Sequence, residues 1–192
     1  MTMLQVQGRR RERGYTLAET MIVVGIIGVL SLISIPAFMN YTRQAKLRAA
    51  TREINGVLRA VRSRAITQST RMAFSFATGT APTAPLRRGQ YAIYSGVPNT
   101  SDPAVIDWTQ FGDTHYLDRS VYFLNSDFAV NSAVDDTLHD IVFLPNGTVG
   151  NIPAGVGEQP NLEIKSDYHL PNNHVKNVFS APGFFKTTLS TD

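Results

Sequence analysis

The stretch RERGYTLAETMIVVGIIGVLSLISIPAF, residues 11–38, decides how the rest of the chain is read. It begins in an arginine cluster, passes a glycine, and then turns strongly apolar with one acid, Glu19, at its leading edge. From Thr20 to Thr42 there is no charged residue. As a helix rising about 1.5 Å per residue, that run spans roughly 34 Å, enough for a hydrocarbon core of about 30 Å. The segment therefore reads as membrane-spanning. A secretory signal would have a shorter apolar run and small residues at a cleavage site, whereas SIPAFMNYTRQ continues without one, so the helix is expected to stay in the mature protein.

Outward from this segment, charge falls in blocks. Arg9, Arg10, Arg11 and Arg13 against Glu12 make the first residues net +3. Residues 41–71 hold Arg43, Lys46, Arg48, Arg52, Arg59, Arg62, Arg64 and Arg71 against Glu53, a net of +7, while residues 72–192 are net −6. Basic residues flank the apolar run on both sides, so the positive-inside rule gives no orientation. With 192 residues and 43% hydrophobic content, the chain has room for one span and one modest core. It has no cysteine, which excludes disulfides, thiolate metal sites and cysteine nucleophiles.

Glu19 needs an explanation, because a carboxylate at the centre of a bilayer costs about 2.5–3.5 kcal/mol. It either sits at the headgroup boundary without a special role or has a cationic partner. A cut between Gly14 and Tyr15 would create such a partner, the new amino terminus of the same chain or of a neighbour. Pro36 removes a helical hydrogen bond and is expected to kink the helix, with Gly25 and Gly28 softening the same stretch.

Beyond the span, Leu47, Ala50, Ile54, Val57, Leu58, Val61 and Ala65 recur every three or four residues, the stripe of an amphipathic helix from about Asn40 to Ser69. Six runs then read as strands: RMAFSFAT, QYAIYSG, RSVYFLN, DIVFLPNG, NLEIKSD and HVKNVFSA, separated by Pro, Gly, Asn and Asp clusters. A mostly antiparallel sheet covering the helix stripe follows, an α+β fold. Between Ala77 and Asp118 no pattern beyond QYAIYSG stands out, and Pro82, Pro85, Gly89, Pro98 and Pro103 suggest long loops.

Enzymatic signatures are missing: there is no phosphate loop, GxGxxG or Ser/His/Asp arrangement, and FLPNGTVG reads as a turn. His169 and His174, and the cluster Asp135, Asp136, His139 and Asp140, are the candidates for metal ligation, with calcium the candidate for the acidic group. Solvated loop residues account for both more simply. No cofactor and no metal are expected.

The amino-terminal stretch resembles the prepilin end shared by type IV pilins and type II secretion pseudopilins: a basic leader, Gly14, an aromatic Tyr15, then threonine, leucine and, fifth, Glu19. LRAVRSRAITQSTRMAFSF (residues 58–76) and DIVFLPNGTV (residues 140–149) are similar to the GspH/FimT group of minor pilins and pseudopilins. The resemblance implies a pilin-like fold, with residues 1–14 a cleaved leader, 15–40 a transmembrane and assembly helix, 41–71 a basic amphipathic helix and 72–192 a β-rich head. It further implies cleavage after Gly14 by prepilin peptidase, methylation of the Tyr15 amine, and a cytoplasmic leader with the head in the periplasm. The chain would be held in the inner membrane until it joins other pilin or pseudopilin subunits, with Glu19 and Pro36 acting in assembly. Tyr15 in place of phenylalanine, and Ala18 and Thr20 in place of larger apolar residues, are the departures. A type II secretion pseudopilus and a type IV pilus stay open.

Eight basic residues over about thirty could also neutralise phosphates, which makes Arg59, Arg62 and Arg64 candidate contacts for DNA or lipid. DNA uptake is the alternative function. Against it, the head is acidic, and the tail APGFFKTTLSTD lacks the arginine-rich motif of the DNA-binding subgroup. The helix charges are expected to face anionic headgroups before assembly and acidic heads of neighbours afterwards.

Overall fold

A computed structural model describes residues 15–78, 86, 89–128, 138–150, 160–167, 174–179 and 185–190. The leader and Gly14 lie outside them. One helix, α1, runs Leu17–Thr67 without interruption, through Pro36. Among the described residues nine strands follow: β1 Arg71–Phe76, β2 Gln90–Pro98, β3 Ile106–Gln110, β4 His115–Tyr116, β5 Val121–Ser126, β6 His139–Phe143, β7 Asn161–Ser166, β8 His174–Phe179 and β9 Phe185–Ser190. The chain divides into two compact units, Met1–Asn40 and Tyr41–Asp192, with the boundary inside α1.

In the first unit the apolar side chains of α1 are exposed all round, Leu32 at 76% and Ile33 at 70% among them. Three of its hydroxyls are satisfied within the helix. The hydroxyls of Thr20, Ser31 and Ser34 donate to the carbonyls of Leu17, Ile27 and Leu30, each at 2.8 Å. A helix that closes its own hydrogen bonds and shows hydrocarbon on every side suits a bilayer or a bundle of like helices, because neither offers water to an open polar group.

In the second unit the stripe is buried as its spacing predicts: Leu47, Ala50, Ile54, Leu58, Val61 and Ala65 are all inside, and Val57 packs at their edge. α1 ends in a Schellman turn, with Ser69 N–H donating to the Ile66 carbonyl and Thr70 N–H to the Ala65 carbonyl. That turn puts Ser69 at φ 51°, a left-handed position that glycine usually fills. The helix thus stops two residues short of the expected Ser69, and Arg71, assigned by sequence to the helix segment, opens β1 instead.

Two antiparallel sheets receive the stripe. One has the order β3-β2-β1-β6, with β4 also pairing β2; the other is β5-β7-β8-β9. Among the described residues a parallel bridge, Thr78 to Phe123, links them. β1 is central because both its faces are covered. Met72, Phe74 and Phe76 join the main core with the helix stripe, Tyr91, Phe123, Ile141, Phe143, Leu162 and Ile164. On the opposite face Ala77, Leu86, Ala92 and Leu138 form a smaller cluster. The aromatic rings interlock at the middle, Phe76 and Phe123 at 4.8 Å and Phe74 and Tyr91 at 5.2 Å between centroids.

All six runs expected as strands are strands. β3, β4 and β9 lie where the sequence carries no strand pattern. β3 lies almost wholly at the surface, so its side chains carry no strong alternation. It is held by main-chain pairing to β2 and by the ring of Trp108, which lies over Gly96; a β-carbon there would sit 2.7 Å from the ring. That pairing is a property of two strands together, not of either sequence.

Candidate assembly and interaction site

At the amino-terminal end, Tyr15 is exposed and precedes the helix. Thr16 is the N-cap: its hydroxyl oxygen accepts from the Glu19 amide at 3.3 Å, and its carbonyl accepts from the amides of Glu19 and Thr20. Glu19 is the acid of the first turn. T-x-x-E is the spacing of a capping box, and a carboxylate there also meets the positive end of the helix dipole. Thr16 was legible from that spacing and was missed. The cap bonds reach the Glu19 main-chain amide, and its carboxylate is exposed at the start of an apolar helix.

The basic residues of residues 41–71 separate into groups. Lys46 forms an ion pair with Asp118 at 3.2 Å, the only salt bridge between described side chains. Asp118 is held below the ordinary carboxylate range, first by the Ser120 hydroxyl, which donates to it at 2.6 Å, then by the Ser120 amide, with Lys46 a smaller contributor. This cluster ties the turn before β5 to the helix.

Arg59, Arg62 and Arg64 do not share one surface role. Arg62 is half-buried and its Nε donates to the Gly147 carbonyl at 2.9 Å. Gly147 closes the Leu144–Gly147 turn with φ 78°, and a β-carbon on it would lie 2.7 Å from Ile66. The predicted Pro-Asn-Gly turn is therefore a docking point for the end of α1. Arg64 lies over the ring of Phe111 at 4.6 Å, a cation–π contact with the end of β3. Arg59 is exposed on the helix.

Arg48 and Arg52 form a further pair. Both are exposed, and with Asn55 they border a groove of about 340 Å³ between α1 and the β8–β9 hairpin, closed on the sheet side by Val175 and Thr187. No spacing rule singled this pair out.

Of the metal candidates, His139 is committed elsewhere. Its Nδ1 lies 2.8 Å from the Phe128 carbonyl and its Nε2 lies 2.9 Å from the Thr78 hydroxyl. A carbonyl only accepts, so Nδ1 carries the proton and neither nitrogen is left for a metal. The ring also stacks on Phe76 at 5.8 Å. Asp140 is buried in β6. Asp135, Asp136 and His169 lie outside the described residues, and for His174 only the strand position is described. Among the described residues no group of three metal-ligating side chains converges.

On the Glu53 side of the helix, the Tyr91 hydroxyl donates to Glu53 at 2.8 Å. Burial first, and then this bond and the charge of Glu53, push the Tyr91 phenol above its ordinary value of 10.0. The pair couples β2 to α1.

Residues 9–35 match the family model of the prokaryotic N-terminal methylation motif. Over 157 residues the chain is 31% identical to the type IV major pilin protein PilA of Myxococcus xanthus (strain DK1622), covering 79% of this chain and 67% of that protein. Over 37 residues it is 57% identical to prepilin peptidase-dependent protein D of Escherichia coli (strain K12), a match spanning 19% of this chain and 25% of that protein. Among solved structures, the minor pseudopilin EpsH of the type 2 secretion system of Vibrio cholerae is similar at TM-score 0.48 and 11% identity, over 77% of this chain and 99% of that one. The type IV minor pilin FimU of Pseudomonas aeruginosa (strain PAO1) is similar at 0.46 and 18%, over 78% and 92%.

Proposed function

The chain belongs to the type IV pilin family, and from that premise we propose that it is a minor, non-enzymatic subunit of a type IV pilus or type II secretion pseudopilus. In this reading prepilin peptidase removes residues 1–14, the Tyr15 amine is methylated, and the subunit waits in the inner membrane with its head in the periplasm. The observation that carries it is α1 itself. Its first half presents hydrocarbon on every side and turns its Ser31 and Ser34 hydroxyls back on its own carbonyls, while its second half is the core of a folded head. Such a helix needs a second apolar surrounding, and neighbouring copies of the same kind of helix supply one when the subunit leaves the lipid.

Glu19 then acts as a register mark. Once residues 1–14 are removed, the amine of Tyr15, its own or a neighbour's, is the nearest cation to a carboxylate entering an apolar bundle. An unpaired charge in that setting costs several kcal/mol, on the order of 3–5, enough to decide which subunit enters and where. Pro36, which leaves the Leu32 carbonyl without its usual helical donor, is the place where α1 can yield during that transfer.

Glu19→Ala should reach the membrane and be processed normally, yet co-purify poorly with the other subunits; Glu19→Gln should be impaired less. Thr16→Ala removes the cap and keeps the carboxylate, which separates the two roles of this turn. If Glu19→Ala enters filaments as well as wild type, the pairing is wrong.

The DNA-uptake alternative has less behind it. Of its three arginines, Arg62 is spent on the Gly147 carbonyl and Arg64 on the Phe111 ring.

A further inference from the structure

Arg48 and Arg52 stand one helical turn apart on the same face of α1, where two like charges repel mildly unless an anion lies between them. Neither has an ion-pair or hydrogen-bond partner among the described residues. The groove they border runs on to Asn55, whose Nδ2 donates to the Thr187 hydroxyl at 2.8 Å while its Oδ1 is shut off from solvent without a partner. Turning the amide over merely moves the deficit to the nitrogen. Thr51, the remaining helix residue of the groove, directs its hydroxyl to the Leu47 carbonyl at 2.8 Å and is itself buried. The site therefore asks for negative charge at the exposed Arg48 and Arg52, above a floor of Thr51 and Val175 that the fold already covers.

We infer that this groove receives an acidic peptide segment from the adjoining subunit of the filament. The carboxylate of such a segment pairs with the guanidinium forks of Arg48 and Arg52. The charge map points to the same occupant: the helix segment 41–71 is net +7 and the head that follows is net −6, so a related subunit's head is a source of carboxylates. The contact is heterologous, groove to head, and contacts of that kind propagate a helical array and do not close a ring of two.

The inference rests on the filament-subunit reading, and one experiment separates the two. In cells producing filaments, the full-length chain is compared with R48E/R52E and R48K/R52K, with membrane level, processed mass and abundance in the filament fraction read for each. A photoreactive benzophenone amino acid placed at Gly56, an exposed position one turn beyond Arg52 with open space around it, reports what lies against the groove. We expect R48E/R52E to match wild type in membrane level and mass and to fall about tenfold or more in the filament fraction, the scale of one or two lost charge pairs. R48K/R52K should fall between, since lysine keeps the charge and loses the fork. The probe at Gly56 should link to a second polypeptide, and that product should vanish in R48E/R52E. Incorporation of R48E/R52E within twofold of wild type, or a probe that labels only phospholipid, overturns the groove's assignment and leaves the subunit reading standing. Absence of the wild-type chain from filaments overturns the subunit reading and the groove with it.

Discussion

The two halves of α1 are built from similar apolar residues and face opposite circumstances. In residues 17–40 Leu, Ile and Val occupy every side of the helix and are exposed. In residues 41–67 the same residue types, Ile66 apart, are confined to one stripe, with Ile54 and Leu58 at 0% exposure and arginines elsewhere on the circumference. Composition alone would call both halves apolar helix. Their arrangement around the axis shows that one brings its own sheet to cover it, and the other depends on a surrounding outside the chain.

A charge placed in each half breaks the comparison most sharply. Ile54→Lys should abolish folding of the head, because a lysine at a fully buried position is unpaired among aromatic rings, and no soluble, protease-resistant head should accumulate. Ile27→Lys should leave the head's protease resistance unchanged and instead weaken membrane retention, by about 3 kcal/mol of insertion free energy. Equal loss of the head in both would show that the halves are not independent. Next in size, Phe123→Ala removes the ring that Phe74 and Phe76 both meet, and should destabilise the head by about 3–5 kcal/mol in chemical denaturation.

Tyr91→Phe tests the polar seam between helix and sheet, and its expected cost is about 1 kcal/mol near neutral pH. The sign of its pH dependence follows from the raised phenol. The protonated form is the one the fold favours, so Tyr91's contribution is complete below its ordinary value of 10.0 and declines as pH rises above it. Wild type should lose stability above that pH more steeply than Tyr91→Phe. Asp118 has the opposite sense: its lowered value means stability present above the usual carboxylate range and lost as acid protonates it, and Asp118→Asn should flatten that acid limb. Smallest of all, Ser69→Gly should stabilise by about 0.5–1 kcal/mol, since the Schellman turn already holds this residue at a left-handed φ. A destabilised Ser69→Gly would mean that the end of α1 is set by something other than its backbone turn.

Much of this was legible in the sequence because it is local. The stripe from Leu47 to Ala65 is periodic, and β1, β2, β5, β6, β7 and β8 are runs rich in β-branched and aromatic residues bounded by turn formers, both of them local signals. What escaped is either exposed or non-local. β3 carries few buried side chains, β4 is two residues long, and β9 reads FKTTLS with Lys186, Thr187 and Thr188 exposed, so none has a hydrophobic rhythm. The Lys46–Asp118 pair, the Arg62–Gly147 contact and the Arg48–Arg52 groove depend on which strands come to lie beside the helix. Thr16 is different. Its capping spacing to Glu19 is a local signal that needs no tertiary partner, and its hydroxyl accepts from the Glu19 amide as that spacing implies.

The central claim is that the exposed half of α1 ends up among other subunits, with the chain beginning at Tyr15. Mass spectrometry of the chain recovered from isolated filaments tests both parts together. The account predicts that the chain is present there, that its first residue is Tyr15, and that the amine carries one methyl group. Recovery of the chain only from membranes, or with residues 1–14 still attached, would contradict it.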